Sequence, residues 1–198
     1  MSTVKSKKLQ VGTDASASNN FTIYQPAVPD GTLRVGVGNA DSPTEVGQFN
    51  TNGYQPQKPV IFRANRSAAQ TISTATYTKV QFNNVDFDTD SCYDNTTNYR
   101  FTPTVAGYYL INSTVSINSA TYMVFTNLYK NGSGYQLSAR NQLGTITGDR
   151  AVVNTAVVYM NGSTDYLEVY VYQDSGGNKD TIGSAQQCNL TGMLIAQA

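Results

Sequence analysis

Residues 165–173 read DYLEVYVYQ, and the alternation in this stretch carries the argument about the fold. Leu167, Val169 and Val171 occupy one set of alternate positions, and Tyr166, Glu168, Tyr170 and Tyr172 occupy the other. A period of two is the signature of a β-strand. An antiparallel strand with one solvated side shows one apolar and one polar face. Here both faces carry large apolar bodies. Exposed single aromatics are ordinary, but three on one face of one strand ask for a cover.

Two other stretches share the property. In GYYLINSTVSI (107–117), Tyr109, Ile111, Val115 and Ile117 fall on one side, and Tyr108 and Leu110 on the other. In RAVVNTAVVYMNG (150–162), Val153, Val157 and Tyr159 oppose Val152, Val158 and Met160. A sandwich supplies one inner face per sheet, so a second covered face needs a helix layer or another protein. No segment shows a capped helical period. The expectation is self-association, with three or more copies packing around an axis. Tyrosine suits such a place, because its ring supplies apolar area and its hydroxyl a polar handle.

Outward from these strands, the chain from residue 60 onward is densely β-patterned. Short runs at 60–64 (VIFRA), 77–85 (YTKVQFNNV, with Val80 and Phe82 on one side), 99–103, 122–132, 135–143 and 188–197 join the three above. Asn131-Gly132 and Asn161-Gly162 each separate two alternating runs. Both residue types tolerate positive φ, so each pair predicts an antiparallel hairpin. Strands at this spacing predict an all-β sandwich or jelly roll. Residues 1–58 are different, with short runs such as Phe21 to Tyr24 and Leu33 to Val37 broken by Pro, Gly, Asn and Asp. Three or four extended pieces are expected there. So thin a segment does not bury a core alone; it must lean on the next domain, on copies of itself or on another protein. Residues 55–59 (QPQKP) read as a semi-rigid linker.

Composition narrows the function classes. The 198 residues hold 13 basic and 13 acidic side chains, for a formal net charge of zero. Such a chain has no overall pull toward nucleic acid or an anionic membrane. No His is present, which removes the commonest general base and metal ligand near neutral pH and the usual nucleophile–histidine arrangements. No carboxylate pair can be assigned to a cleft, so no enzymatic activity and no cofactor are expected. No run of about 18 apolar residues is present, so no membrane span is expected, and the N-terminus lacks the pattern of a secretory signal. Cys92 and Cys188 form no disulfide framework or zinc motif. They are either two small core residues or a bridge between distant segments.

The ordered set of motifs from 60 to 198 resembles the C1q/tumour-necrosis-factor superfamily of jelly-roll domains. The features are Phe62 with Ala64, Val80 with Phe82, Tyr93-Asp94, Phe101-Thr102-Pro103 followed by Ala106 to Tyr109, Lys130-Asn131-Gly132, Tyr166 to Val169, and Leu190 to Leu194. The resemblance implies that the copies number three, a homotrimer, and the second faces of the strands above put Tyr108, Leu110, Tyr166, Tyr170 and Tyr172 between them. Residues 30–46 (DGTLRVGVGNADSPTEV) resemble a segment of bacteriophage, especially cyanophage, tail-fibre and head-decoration proteins. That resemblance implies a virion protein assembled in the host cytoplasm. Residues 1–58 would anchor it to the capsid, neck or tail, through Lys5, Lys7, Lys8, Phe21, Ile23, Tyr24, Leu33 and Val35. An alternative is a receptor-binding fibre head recognising host surface glycan.

Two local features compete for a chemical role. DFDTDSCYD (86–94) brings Asp86, Asp88 and Asp90 close together, a weak Ca²⁺ candidate because alternating carboxylates on a loop can ligate it. Ser91 and Thr97 stand where an EF-hand needs Gly and Glu, which favours a solvated acidic turn. Lys5, Lys7 and Lys8 form a short basic arm, too few for nucleic acid without a motif around them.

Overall fold

The computed structural model describes residues 8–56, 59–118, 122–139 and 148–198. The chain divides into two units, Met1–Pro59 and Val60–Ala198.

In the first unit five strands follow one another as an antiparallel meander: β1 (Lys8–Val11), β2 (Phe21–Tyr24), β3 (Leu33–Val37), β4 (Thr44–Asn50) and β5 (Gly53–Pro56). A single 3-10 turn, Ala17–Asn19, precedes β2. The register is fixed by cross-strand partners such as Leu9 with Ile23, Ile23 with Val35, and Leu33 with Phe49. A bulge at Val35/Gly36 shifts β4 by one residue. At Gly36 a Cβ would lie 2.8 Å from the Pro43 ring, so only glycine admits this approach of the two strands.

The second unit is a sandwich. Its front sheet contains β6 (Ile61–Asn65), β9 (Asn84–Asp88), β12 (Ala106–Ile117), β15 (Arg150–Asn161) and β18 (Asn189–Gln197), in the order β15-β12-β18-β6-β9. Its back sheet runs β10 (Tyr93–Asp94), β11 (Arg100–Phe101), β16 (Leu167–Gln173), β13 (Val124–Lys130) and β14 (Ser133–Leu137), with β8 (Thr78–Lys79) also on β16. A small ladder joins β7 (Thr71–Ile72) to β17 (Lys179–Asp180). The chain passes repeatedly from one sheet to the other, which is the jelly-roll arrangement.

The alternation seen in the sequence delivers the core. Phe62, Tyr109, Ile111, Val152, Val158, Met160 and Leu190 enter it from the front sheet. Phe101, Val124, Leu128, Leu167, Val169 and Val171 meet them from the back. The Phe62 ring stacks on Phe101 and Tyr93, with centroids 4.6 and 5.3 Å away. Each such side chain stabilises the fold by about 1.5–3 kcal/mol on burial. Gly192 makes room for that stack, since a Cβ there would stand 2.4 Å from the Phe62 ring.

One of the two hairpin expectations holds and two local expectations change. Asn131-Gly132 forms the predicted hairpin between β13 and β14, with φ of 52° and 78°. Asn161-Gly162 does not join paired strands, because β15 pairs with β12 whereas β16 pairs with β13. There the Asn161 side-chain oxygen accepts the backbone N–H groups of Ser163, Thr164 and Asp165, and the chain crosses between sheets. A local turn signal cannot tell a hairpin from such a crossing, because both need the same backbone angles. The run 77–85 is likewise not one strand: β8 and β9 lie in different sheets, and Val80 and Phe82 are buried between them in sequence. Cys92 and Cys188 are separate, buried, free thiols. Burial raises the pKa of both, and Cys92 also donates to Asp88 Oδ1 at 3.2 Å.

Candidate functional site

The second face of residues 165–173 is partly covered within the chain. On the outer side of the back sheet, Tyr77, Phe125, Tyr129, Tyr170 and Tyr172 form a chain of ring contacts. Phe125 stacks on Tyr172 at 5.0 Å, Tyr129 lies 4.2 Å from Tyr170, and Tyr77 bridges Phe125, Tyr129 and Tyr172 at 5.3–6.1 Å. Arg100 sits over the Tyr166 ring at 4.4 Å, a cation–π contact. Glu168 is buried and is met by Lys79 Nζ at 2.6 Å, so the awkward charge of the strand has its partner on β8. Tyr166, Tyr170 and Tyr172 are therefore half-buried against their own subunit. Tyr77 and residues from β8, β11 and β13 supply part of the cover that the alternation asks for, which one strand read alone could not reveal.

The uncovered apolar face is on the other sheet. Register places Tyr108 opposite Tyr159, Leu110 opposite Val157, and Leu110 opposite Met193. Met193 in turn pairs with Ile61, and Arg63 with Phe87. Phe87, Tyr108, Val153, Val157, Tyr159 and Met193 are each 41–53% exposed. Apart from Val153, which lies beyond the Asn112–Thr155 pair, these are neighbours on a single sheet around Leu110 and Ile61, and continuity is what makes exposed apolar area informative. An open apolar groove of about 290 Å³ runs between Ile61, Phe87, Leu110 and Met193. Beside it the same face turns polar: Asn112 Nδ2 donates to Thr155 Oγ1 at 2.8 Å, and Arg63 pairs with Asp86 at 2.6 Å. An apolar centre with a polar, internally satisfied margin is the composition of a protein interface.

Of the five residues expected between subunits, Tyr108 and Leu110 lie on this face, and Tyr166, Tyr170 and Tyr172 lie on the outer side of the back sheet. The residues not singled out for it were Ile61, Phe87, Val153, Val157, Tyr159 and Met193. Val153, Val157 and Tyr159 had a readable signal in the two-faced run 150–162. Met193 had one too, since Met193 and Ile195 oppose Leu190 and Leu194 in the run 188–197; Phe87 stood in no such run.

The acidic stretch is dispersed. Asp86 accepts from Arg63 and Asn65, Asp88 from the backbone N–H groups of Asp90 and Tyr93, and Asp90 from Thr104. Among the described residues no cluster of three His, Cys, Asp or Glu side chains placed to hold a metal forms. The oxygens of Asp86, Asp88 and Asp90 bind the loop and the neighbouring strand instead. Asp94 closes the following turn by accepting from Thr96, Thr97 and Asn98, and the backbone N–H groups of Thr97 and Thr96 hold its carboxyl well below the usual range.

In the N-terminal unit, cross-strand register splits the residues expected to anchor. Phe21, Ile23, Leu33 and Val35 share one face with Leu9, Val11, Val37 and Phe49. Lys8 and Tyr24 fall on the opposite face with Gln10, Thr22, Arg34 and Gln48. Arg34 there bridges Asp30 at 2.6 Å and Glu45 at 2.9 Å. Hydrogen bonds from Thr32 and Arg34 draw the Asp30 carboxyl down to about 2. Lys5 and Lys7 lie outside the described residues.

No protein-family model matches the chain, and no curated protein matches it in sequence. Solved structures do match in shape. A tumour-necrosis-factor protein from S. frugiperda, Eiger, superposes with a TM-score of 0.58 at 10% identity, covering 72% of this chain and 96% of that one. The globular domain of zebrafish complement 1qA gives 0.53 at 17% identity, covering 71% of this chain and all of that domain. Murine APRIL gives 0.55 at 10% identity, covering 70% of this chain and 100% of that one. At such identities the likeness speaks for the fold: an all-β jelly roll of the C1q/TNF type.

Proposed function

We propose that this chain is a non-catalytic structural subunit that works as a homotrimer, closed by the front sheets of three jelly-roll heads. The observation that carries this reading is the contiguous exposed apolar face of β15, β12, β18, β6 and β9. A monomer gains nothing from leaving Tyr108, Val157, Tyr159 and Met193 in water. Burying each of them stabilises an assembly by about 1.5–3 kcal/mol before the costs of association. The count of three is taken from the C1q/TNF resemblance.

The place of work we propose is a bacteriophage particle, with the N-terminal unit as the attachment module and the head projecting from capsid, neck or tail. The likeness of residues 30–46 to segments of phage fibre and head-decoration proteins supports it. So does the low share of charged residues, 13%, against about 25% in ordinary soluble domains.

Light scattering on the full chain after size exclusion tests the assembly, and a mass of three chains is expected. Val157→Asp should give a single-chain mass, because it sets a charge in the centre of the desolvated face. A wild-type monomer would overturn the reading. An antibody against the chain should decorate phage particles from the same source at regular positions; unlabelled particles would remove the virion assignment and leave the trimer standing.

A further inference from the structure

The N-terminal unit has a property that its strand content hides. Among residues 8–53, no apolar side chain is buried; the buried positions are Asn20, Thr22, Gly36, Gly38 and Gly47. Leu9, Val11, Phe21, Ile23, Leu33 and Phe49 are 36–59% exposed, and all six share one face. An open groove of about 650 Å³ crosses that face between Leu9, Ile23, Leu33 and Phe49. A one-layer sheet has no inside, and a sheet must lay its apolar face on another layer to be stable. Something therefore covers this face whenever the unit is folded.

The distribution of charge says what kind of cover. Among residues 8–53, no Lys, Arg, Asp or Glu takes a paired position on the apolar face. Lys8, Arg34 and Glu45 are on the other one. An uncharged face of core-like composition is the mark of a permanent interface, formed as the chains fold. A surface kept for a later, separately folded partner is more polar. The permanent neighbours of this unit, on the trimeric reading above, are its own two copies. Three identical uncharged faces meet without repulsion, and tethering to one trimeric head holds them at high effective concentration.

We propose that the apolar faces of three N-terminal sheets pack together around the trimer axis. Phe21, Ile23, Leu33 and Val35 form an intermolecular core. Lys8, Tyr24 and the Arg34 bridge face outward, and this polar face is what an attachment partner meets. β3 is the middle strand of the five, so Leu33 and Val35 come nearest the axis. This inference rests on the trimeric reading of the head.

The test uses the full chain carrying Leu33→Cys, with Gln48→Cys on the opposite face as the control, and iodoacetamide as the probe. Cys92 and Cys188 are buried and give a low background. Native Leu33→Cys is expected to be protected in the trimer, Gln48→Cys to be labelled rapidly, and protection to be lost when Val157→Asp is added. A second variant, Ile23→Asp, should leave the head trimeric by light scattering while a protease removes the N-terminal unit far faster than in wild type. Rapid labelling of Leu33→Cys in an intact trimer would overturn the proposal, by showing a face left open for a different protein. Protection that survives in a single-chain Val157→Asp protein would overturn it too, since the cover would then come from the same chain. A wild-type monomer would sink both readings. A Val157→Asp chain that stays trimeric would sink only the head interface, and protection lost on Ile23→Asp would still uphold this one.

Discussion

The two units are built from the same kind of short, alternating strand, yet only one has an interior. In the head, the front and back sheets face each other, and rings such as Phe62, Phe101 and Tyr109 are fully buried between them. In the N-terminal unit the apolar residues are as well ordered in register, but its described strands form one layer with no second sheet of their own. Alternation aligns apolar side chains on a face; only a second layer turns that face into a core. The head has a two-layer core within one chain, whereas the N-terminal sheet has an apolar face without a second layer of its own.

The largest effect expected from this contrast is on assembly. Val157→Asp and Tyr170→Asp both put a carboxylate on a tyrosine-rich sheet surface, but on opposite sheets. Val157→Asp should abolish the trimer. Tyr170→Asp should leave the mass unchanged, while removing the Tyr129 contact and setting a second carboxylate beside Glu168. Light scattering on the pair reads the difference directly, and dissociation by Tyr170→Asp would return the aromatic face to the interface.

Next in size is the loss of core. Phe62→Ala should destabilise the head by about 3–5 kcal/mol, measured by urea unfolding. Phe49→Ala on the N-terminal sheet, made in the single-chain Val157→Asp background, should shift the same transition by less than about 0.5 kcal/mol. Equal shifts would mean that the two units share a core.

Overpacking is a smaller perturbation. Gly192→Ala drives a methyl against the Phe62 ring and Ile111 Cδ1, 2.4 and 2.9 Å from the added atom. The expected cost is about 1–3 kcal/mol in the same unfolding assay. A neutral result would show that the Phe62 stack has room to move.

The smallest effect is a slope with pH. Asp165 accepts from Asn131 Nδ2 at 2.8 Å, from Lys130 Nζ at 2.9 Å and from Asn161 N–H at 3.0 Å. Asn131 and then Lys130 lower its pKa below the ordinary 3.8. A lowered folded-state pKa contributes stability that is complete above the unfolded value and lost as pH falls through the folded one. Acid unfolding of Asp165→Asn should therefore show a shallower dependence on pH below about 4 than wild type. An unchanged slope would remove Asp165 from the acid response of the head.

The Asp165 contacts also show where sequence reading stops. Lys130-Asn131-Gly132 was legible as a hairpin from backbone preference alone. That its Lys and Asn side chains reach across to Asp165, and that Asn131 Oδ1 takes the Tyr166 N–H at 2.9 Å, depends on two loops 34 residues apart meeting at one end of the sandwich. Asn161-Gly162 carried the same local signal and became a crossing between sheets, because the preference fixes backbone angles and says nothing of which strand lies alongside. The candidate interface was half legible. Tyr108 and Leu110 stood out on a two-faced strand, whereas Met193 and Phe87 come to the same patch only through pairing with strands far away in sequence.

What the sequence determined by itself was the long strands of the head, the side of each that faces inward, and the jelly-roll order of motifs. These follow from the two-residue period and from turn chemistry, both local to the chain. What only the tertiary structure decided was which outward faces remain bare. On DYLEVYVYQ the outward rings are partly covered by Tyr77, Phe125 and Tyr129 from neighbouring strands, and Glu168 by Lys79. On β12 and β15 the outward rings of Tyr108 and Tyr159 touch each other, 5.5 Å apart, and still stand open to water. A side chain's cover is set by residues distant in sequence and adjacent in space, so alternation identifies the faces and only the packed sheets show which of them is left for another subunit.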